Sequence, residues 1–294
     1  MIEIGQYLER KKVLIDRELA ERLPQSGPTL VSDAMRHSLE AGGKRLRPIL
    51  VLAAADTLGS EDSSIIEVAC ALEYVHTYSL IHDDLPAMDN SDLRRGKPSC
   101  HRVYGEALAI LAGDALLTLA FELIANYGRQ GGKGTKAVKI MAELAAAAGV
   151  TGMIGGQVLD LEAEGSDPTL EKVENIAKMK TGALLRAAIL CGAIAADASS
   201  EQMRALNIYA SKIGPAFQII DDLLDYEGTT EELGKPAGAD QTRLKATYPA
   251  LLGPEEARRR AEILYNDALK ALESLDCPAE LLSGLAEKMI YRTR

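Results

Sequence analysis

Tryptophan is absent from this chain of 294 residues, phenylalanine occurs twice, and aromatics make up 4% of it. With 47% apolar residues, the interior must be filled by Ala, Leu and Ile, the composition of a helical protein. Excess base is missing too. The net charge is −10, which argues against a general nucleic-acid surface. An anionic ligand can therefore bind only where local Lys, Arg or metal ions reverse the sign. The four cysteines, Cys70, Cys100, Cys191 and Cys277, are widely spaced without CxxC pairing, which disfavours a disulfide framework or zinc site. Residues 1–23 mix both charges and have no apolar core, so no signal peptide is expected. No uninterrupted apolar run reaches the ~18 residues of a membrane span. A cytoplasmic protein without a membrane span is the expectation.

What is present is helical periodicity. Residues 5–23 carry apolar side chains at amphipathic spacing among charges. Pro48 near the start of the apolar run Ile49–Leu58 suits a first helical turn. Residues 64–82 run apolar at helical spacing and deliver His82, Asp83 and Asp84 to a helix end, before Pro86 breaks the pattern. Residues 105–127 and 136–154 are rich enough in Ala and Leu to be buried nearly all round. The glycine-rich 127–134 between them reads as a flexible surface loop. Helices are further expected over 169–196, 200–226 and 255–275. The polar connection 227–249 has the length of a lid or binding loop. With no strand alternation, no βαβ rhythm and no repeat, the expectation is one all-α domain spanning 1–294.

Two acidic clusters stand out against this background: Asp83-Asp84 with Asp89, and Asp221-Asp222 with Asp225. Carboxylates packed together repel, and a helix C-terminus is a poor place for bare negative charge. Divalent cations resolve the conflict, and Mg²⁺ typically binds one or two carboxylates plus substrate phosphates. On an unbroken helix Asp83 and Asp89 would point about 240° apart; Pro86 lets the chain bend and bring Asp89 back beside Asp83. Arg94 and Arg95, being adjacent, face different ways and can serve two phosphates, as guanidinium forks suit. In the second cluster Asp221 and Asp225 share a helical face, with no basic partner four residues away and with Ile219, Ile220, Leu223 and Leu224 around them.

Basic residues follow elsewhere. Gly42-Gly43-Lys44-Arg45-Leu46-Arg47-Pro48 precedes a helix, and its glycines let backbone amides approach an anion. Lys180 and Thr181 sit inside an apolar run, where a Lys needs a counter-ion or room to reach solvent. Lys235 and Lys245 fall in or beside the long polar connection. His76 lies on the helix leading to the first cluster.

GGKRLRP (42–48), SLIHDDLPAMDN (79–90), LRRGKPS (93–99), LAGDALL (111–117), GGQ (155–157), KTGAL (180–184), FQIIDDLLD (217–225) and GKPAGAD (234–240) occur in this order. In this ordered set the chain closely resembles the trans-isoprenyl diphosphate synthases, in particular the bacterial farnesyl diphosphate synthase group, over essentially its whole length. The resemblance implies an all-α, single-domain isoprenoid synthase bundle around a central cavity. Two aspartate motifs would face each other from opposing helices, and the usual assembly is a homodimer. It implies that Asp83, Asp84, Asp89, Asp221, Asp222 and Asp225 hold up to three Mg²⁺ ions on an allylic diphosphate. Arg94, Lys180, Thr181, Gln218, Lys235 and Lys245 match positions that contact the same substrate. Lys44, Arg47, His76 and Arg95 match those that hold isopentenyl diphosphate. Lys180, Asp83 and Asp221 are the expected catalytic residues, serving the departure of diphosphate.

By the same resemblance Tyr78 and Ser79, just upstream of the first motif, floor the hydrocarbon pocket. The ring at Tyr78 favours a farnesyl product over the longer geranylgeranyl one. Asn90-Ser91 stand where further aspartates often follow, and leave the three motif aspartates in place. Three rivals fare worse. A terpene cyclase usually lines its cavity with aromatics, which are scarce here. A metal-dependent phosphohydrolase needs further His ligands, and His37, His76 and His101 are not suitably spaced. A non-catalytic partner subunit tends to lose one aspartate motif, and both are intact.

Overall fold

The computed structural model describes residues 3–165, 169–227 and 247–292. Among them the regular structure is α-helix, apart from one π-helical turn and one two-stranded hairpin, so the expected all-α class holds. Two compact units emerge, Glu3–Leu52 with Asp62–Met141, and Ala53–Glu61 with Ala142–Arg294.

The first unit contains α1 (Ile4–Glu21), α2 (Thr29–Leu39), the start of α3 (Leu46–Thr57) and α4 (Ile65–Asp83). A hairpin β1 (Leu93–Arg94) and β2 (Lys97–Pro98), α5 (Cys100–Tyr104), α6 (Glu106–Arg129) and the start of α7 (Gly134–Ala148) follow. The centre is α4, with Val68, Ala69, Leu72, Tyr74 and Val75 all fully buried. Each such Val or Leu contributes about 1.5–3 kcal/mol through burial. It packs on α6, where Ala109, Ala112, Gly113 and Ala120 are small enough for close approach. α1 starts at Glu3, whose carboxylate accepts from the amides of Gly5 and Gln6, and buries Tyr7, Ile15 and Leu19. The buried Tyr74 hydroxyl donates to Leu19 O at 2.7 Å, tying α1 to α4.

Two expectations for this region need correction. The segment 127–134 is anchored rather than loose. Helix α6 runs on to Arg129, and Lys133 Nζ donates to Asp62 and Ser64 at 2.8 and 2.6 Å while lying over the Tyr127 ring. Nor are the Ala/Leu-rich helices buried all round, because Ile110, Leu111 and Val138 are 43%, 55% and 62% exposed. By length and composition alone the stretches Glu106–Arg129 and Gly134–Ala163 could cross a membrane; the packing of α6 on α4 is that of a core helix.

The second unit holds α8 (Met153–Ala163), α9 (Leu170–Ile176), the π-helical turn Ala177–Gly182, α10 (Ala183–Ala195) and α11 (Ser200–Glu227). It closes with α12 (Tyr248–Leu252), α13 (Pro254–Leu272) and α14 (Glu280–Ile290). The single helix expected over 169–196 is interrupted by the π turn, a feature frequent at functional sites. Gly214 of α11 lies against it so closely that a Cβ there would meet Gly182 Cα at 3.0 Å. Pro215 sits inside α11 and removes one helical hydrogen bond. Helix α13 packs along α11, and the buried Tyr209 hydroxyl donates to Leu282 O of α14.

Candidate functional site

The first acidic cluster is built by a chain that folds back over the end of α4. Asp83 is the last helical residue and Asp84 the cap. The turn that follows gives the amides of Leu85, Asp89 and Ser91 to the carbonyls of His82, Asp83 and Asp84, at 3.2, 2.8 and 3.1 Å. These carbonyls would otherwise lack partners at a helix end, and their capture sets Asp89 beside Asp83 as the Pro86 break implied. Arg94 on β1 reaches the cluster from the side. Its Nε lies 3.1 Å from both Asp84 oxygens, and Nη2 completes the ion pair. Burial pushes the Asp84 carboxyl above its usual range, and the charge of Asp89 adds to this against the opposing pull of Arg94. The cluster needs positive charge, and one guanidinium supplies part of it.

Arg95 does face the other way. The hairpin turn takes positive φ at Arg95 and Gly96, 54° and 77°, the conformation of a tight two-residue hairpin. Arg95 then reaches Gly42 O, with its guanidinium laid over Gly43. A Cβ on Gly43 would come 2.5 Å from Arg95 Cζ, and φ there is +123°. The backbone conformation favours glycine, and a methyl group there would displace the guanidinium. Lys44 is exposed and Arg47 half-buried on this segment. Arg45 between them turns inward, giving Nε to Asp16 at 2.7 Å, Nη1 to Glu73 at 2.8 Å and Nη2 to Leu39 O at 2.5 Å. Burial, together with Arg47, Arg95, Arg94 and Arg45, holds His76 well below the usual imidazole range. It is a neutral group among cations. A 220 Å³ cavity in this unit, lined by Asp16, Leu19, Arg36 and Leu39, touches none of the expected substrate residues, whereas a smaller one is lined by Asp84, Arg94 and Arg95. Size does not mark the chemistry here.

In the second unit Asp221 accepts from Arg292 at 2.5 Å, and the Arg292 guanidinium lies 4.0 Å over the Phe217 ring. Asp222 is buried and accepts from Gln218 Nε2 at 2.7 Å and from Tyr248 N at 3.1 Å. Asp225 is 4% exposed. Lys180 Nζ meets Asp160 Oδ2 at 2.6 Å, which answers the requirement of a Lys in an apolar run. The π turn that carries Lys180 and Thr181 rests on Gly156 of the GGQ segment, where a Cβ would sit 2.2 Å from Lys180 N. Asp160, Lys180, Thr181, Gln218, Asp222 and Tyr248 line one cavity of about 100 Å³. Sequence reading missed Asp160, Tyr248 and Arg292. Asp160 had a faint signal as an acid in an apolar helix; the other two had none. Lys235 and Lys245 lie outside the described residues.

Both clusters offer carboxylate oxygen only, the donor set that suits a hard divalent cation. Among the described residues no three His, Cys, Asp or Glu groups are gathered tightly enough to hold an ion unaided.

An all-helical chain with two oxygen-only acidic motifs, each accompanied by basic side chains, is the class of protein these features define. The chain belongs to the polyprenyl synthetase family, whose model matches residues 28–280. It is 44% identical to farnesyl diphosphate synthase of Geobacillus stearothermophilus over 292 residues, 99% of this chain and 98% of the relative. It is 47% identical to geranylgeranyl diphosphate synthase of Cyanophora paradoxa over 287 residues, 97% and 95% of the two chains. A crystal structure of a FPP/GFPP synthase from Zymomonas mobilis is similar with a TM-score of 0.85 and 37% identity, covering 99% of each chain. The family is one of short-chain prenyltransferases, acting on isopentenyl and allylic diphosphates.

Proposed function

We propose that this chain condenses isopentenyl diphosphate with dimethylallyl or geranyl diphosphate to form farnesyl diphosphate. The observation that carries the reading is the fold-back of residues 84–91, which brings Asp89 beside Asp83 and collects the cluster next to Arg94. Asp83, Asp84, Asp89, Asp221, Asp222 and Asp225 would hold up to three Mg²⁺ ions, which fit the all-oxygen donor set. When bound, these ions neutralise the diphosphate as it leaves.

The chain's own groups do the rest. Lys180, aimed by Asp160, serves the allylic diphosphate with Arg94, Thr181, Gln218, Lys235 and Lys245. Such preorganised charge stabilises the leaving group without reorganisation at the moment of reaction. Lys44, Arg47, Arg95 and the neutral His76 hold isopentenyl diphosphate. The carbon–oxygen bond of the allylic substrate breaks, the double bond of isopentenyl diphosphate attacks the cation, and a proton leaves to the released diphosphate. The buried ring of Tyr78, 6% exposed, supports an end at fifteen carbons, with Ser79 beside it on the pocket floor. The similarity to a geranylgeranyl synthase favours a twenty-carbon product as the second reading.

The test incubates purified protein with Mg²⁺, labelled isopentenyl diphosphate and geranyl diphosphate, and sizes the dephosphorylated alcohols. Farnesol as end product supports the reading. Geranylgeraniol keeps the chemistry and discards the Tyr78 argument. No elongation, with EDTA making no difference, points to a non-catalytic partner subunit. We further propose one catalytic domain over 1–294, a homodimer that covers exposed residues such as Ile110 and Leu111, and a cytoplasmic location; light scattering tests the dimer.

A further inference from the structure

The LAGDALL segment, 111–117, has no part in the chemistry above. Its Gly113 is buried on α6, and what lies over it is the ring of His82. A Cβ on Gly113 would come 2.2 Å from His82 Nε2, 2.6 Å from Cδ2 and 3.1 Å from Cε1. No methyl group fits there, so the Nε2 corner of the ring rests against bare backbone. His82 Nε2 also lies 3.1 Å from Ile110 O, one turn before Gly113, and 3.9 Å from Asp114 Oδ1. These contacts hold the Nε2 end of the ring against α6.

On its other side the imidazole meets Tyr78, one turn earlier on α4, edge to face at 5.6 Å between centroids and 81° between planes. The Tyr78 hydroxyl is buried and, among the described residues, has no hydrogen-bond partner. Among the described residues the phenol ring is positioned by packing. The Tyr78–His82 pair is its defined directional contact, of a kind worth more than its buried area. A chain of contact therefore runs from Gly113 through His82 to Tyr78.

We propose that Gly113 and His82 are specificity-determining residues, which set product length by bracing the Tyr78 ring. The inference rests on the reading of Tyr78 as the floor of the hydrocarbon pocket. A free Tyr78 ring could turn aside as a growing prenyl chain presses on it. A braced ring stops the chain. Neither Gly113 nor His82 needs to touch substrate for this.

The experiment measures the ratio of twenty-carbon to fifteen-carbon product, at equal conversion, for the parent protein and for His82→Ala, Gly113→Ala, Tyr78→Ala and Tyr78→Ala/His82→Ala. Circular dichroism and the rate of the first condensation are read alongside. His82→Ala is expected to raise the ratio roughly fivefold, the factor that loss of an aromatic pair of this geometry corresponds to. Gly113→Ala, which drives the imidazole off its seat, should move it the same way. In the Tyr78→Ala background His82→Ala should add nothing. If both single variants fold, turn over and keep the parental ratio while Tyr78→Ala lengthens the product, the bracing inference is overturned and the pocket floor stands. If Tyr78→Ala itself changes nothing, the floor reading falls and takes the inference with it. Should Gly113→Ala fail to fold, His82→Ala, which removes atoms rather than adding them, decides the matter.

Discussion

The guanidinium of Arg45 and the carboxylate of Glu73 form an ion pair at 2.8 Å with side chains only 3% and 1% exposed. Arg45 directly follows Lys44, and its backbone takes a left-handed φ of 51°. The strained turn and the buried pair together lock the Gly42–Arg47 segment onto α4, one turn upstream of His76. Removing one partner of a buried pair leaves an uncompensated charge. Glu73→Gln should therefore lower unfolding stability by about 3 kcal/mol, read from urea midpoints. Arg45→Met combined with Glu73→Leu should recover most of that loss.

His76 gives a pH signature. Its imidazole is held below the usual value by burial and by four arginines, so the unfolded chain binds a proton there that the folded chain does not. Stability must fall as pH drops below about 6.5, the unfolded histidine value. At pH above that value the group contributes no slope. His76→Gln should flatten the decline of the denaturation midpoint between pH 7.5 and 5.5, and an unchanged decline would assign it to other groups.

Gly43→Ala tests the seat of Arg95. The new methyl group would lie 2.5 Å from the guanidinium carbon at a φ that alanine resists. Displacing one charge-assisted contact corresponds to about 10- to 100-fold in binding. The expected result is a KM for isopentenyl diphosphate raised by that order, with kcat changed much less.

Metal dependence should report on both motifs. EDTA is expected to abolish turnover, and Mg²⁺ to restore it. Asp84→Asn and Asp222→Asn should each lower kcat by about a hundredfold or more, the scale of losing one preorganised electrostatic group. Full activity of either variant at low Mg²⁺ would remove that aspartate from the proposed ligand set.

Gly156→Ala probes the seat of the π turn. Its Cβ would meet Lys180 backbone atoms at 2.2 and 2.6 Å, contacts that rotamer changes cannot relieve. Overpacking of this kind costs about 1–3 kcal/mol, and Lys180 should lose alignment with Asp160. Both the melting temperature and kcat are expected to fall.

Most helices were legible because their periodicity is local. The spans around 5–23, 64–82, 105–127, 200–226 and 255–275 match α1, α4, α6, α11 and α13 within a few residues. Helices α2, α5, α8, α12 and α14 escaped notice, α5 and α12 being five residues each. α2 and α14 are short, and α8 carries the glycine pair of GGQ, which argues against helix on propensity. Gly156 is explained by the backbone of Lys180 pressed against it, a contact between residues 24 positions apart, and Gly155 by Val150 O, which a Cβ would meet at 1.9 Å. The π turn at Ala177–Gly182 is invisible to a 3.6-residue pattern for the same reason.

The sequence by itself determined the two acidic motifs, their oxygen-only chemistry and the basic residues near them, since these depend on residue type and spacing. The break at Pro86 was enough to foresee Asp89 returning to Asp83. Tertiary structure alone decided which cations serve which acids. Arg94 pairs with Asp84 ten residues away, Arg292 with Asp221 across 71, and Arg45 with Glu73 in the core. It also decided that His82 lies on Gly113 and against Tyr78. Charge and composition state that a counter-ion is needed; only the packing of distant helices determines which one can reach.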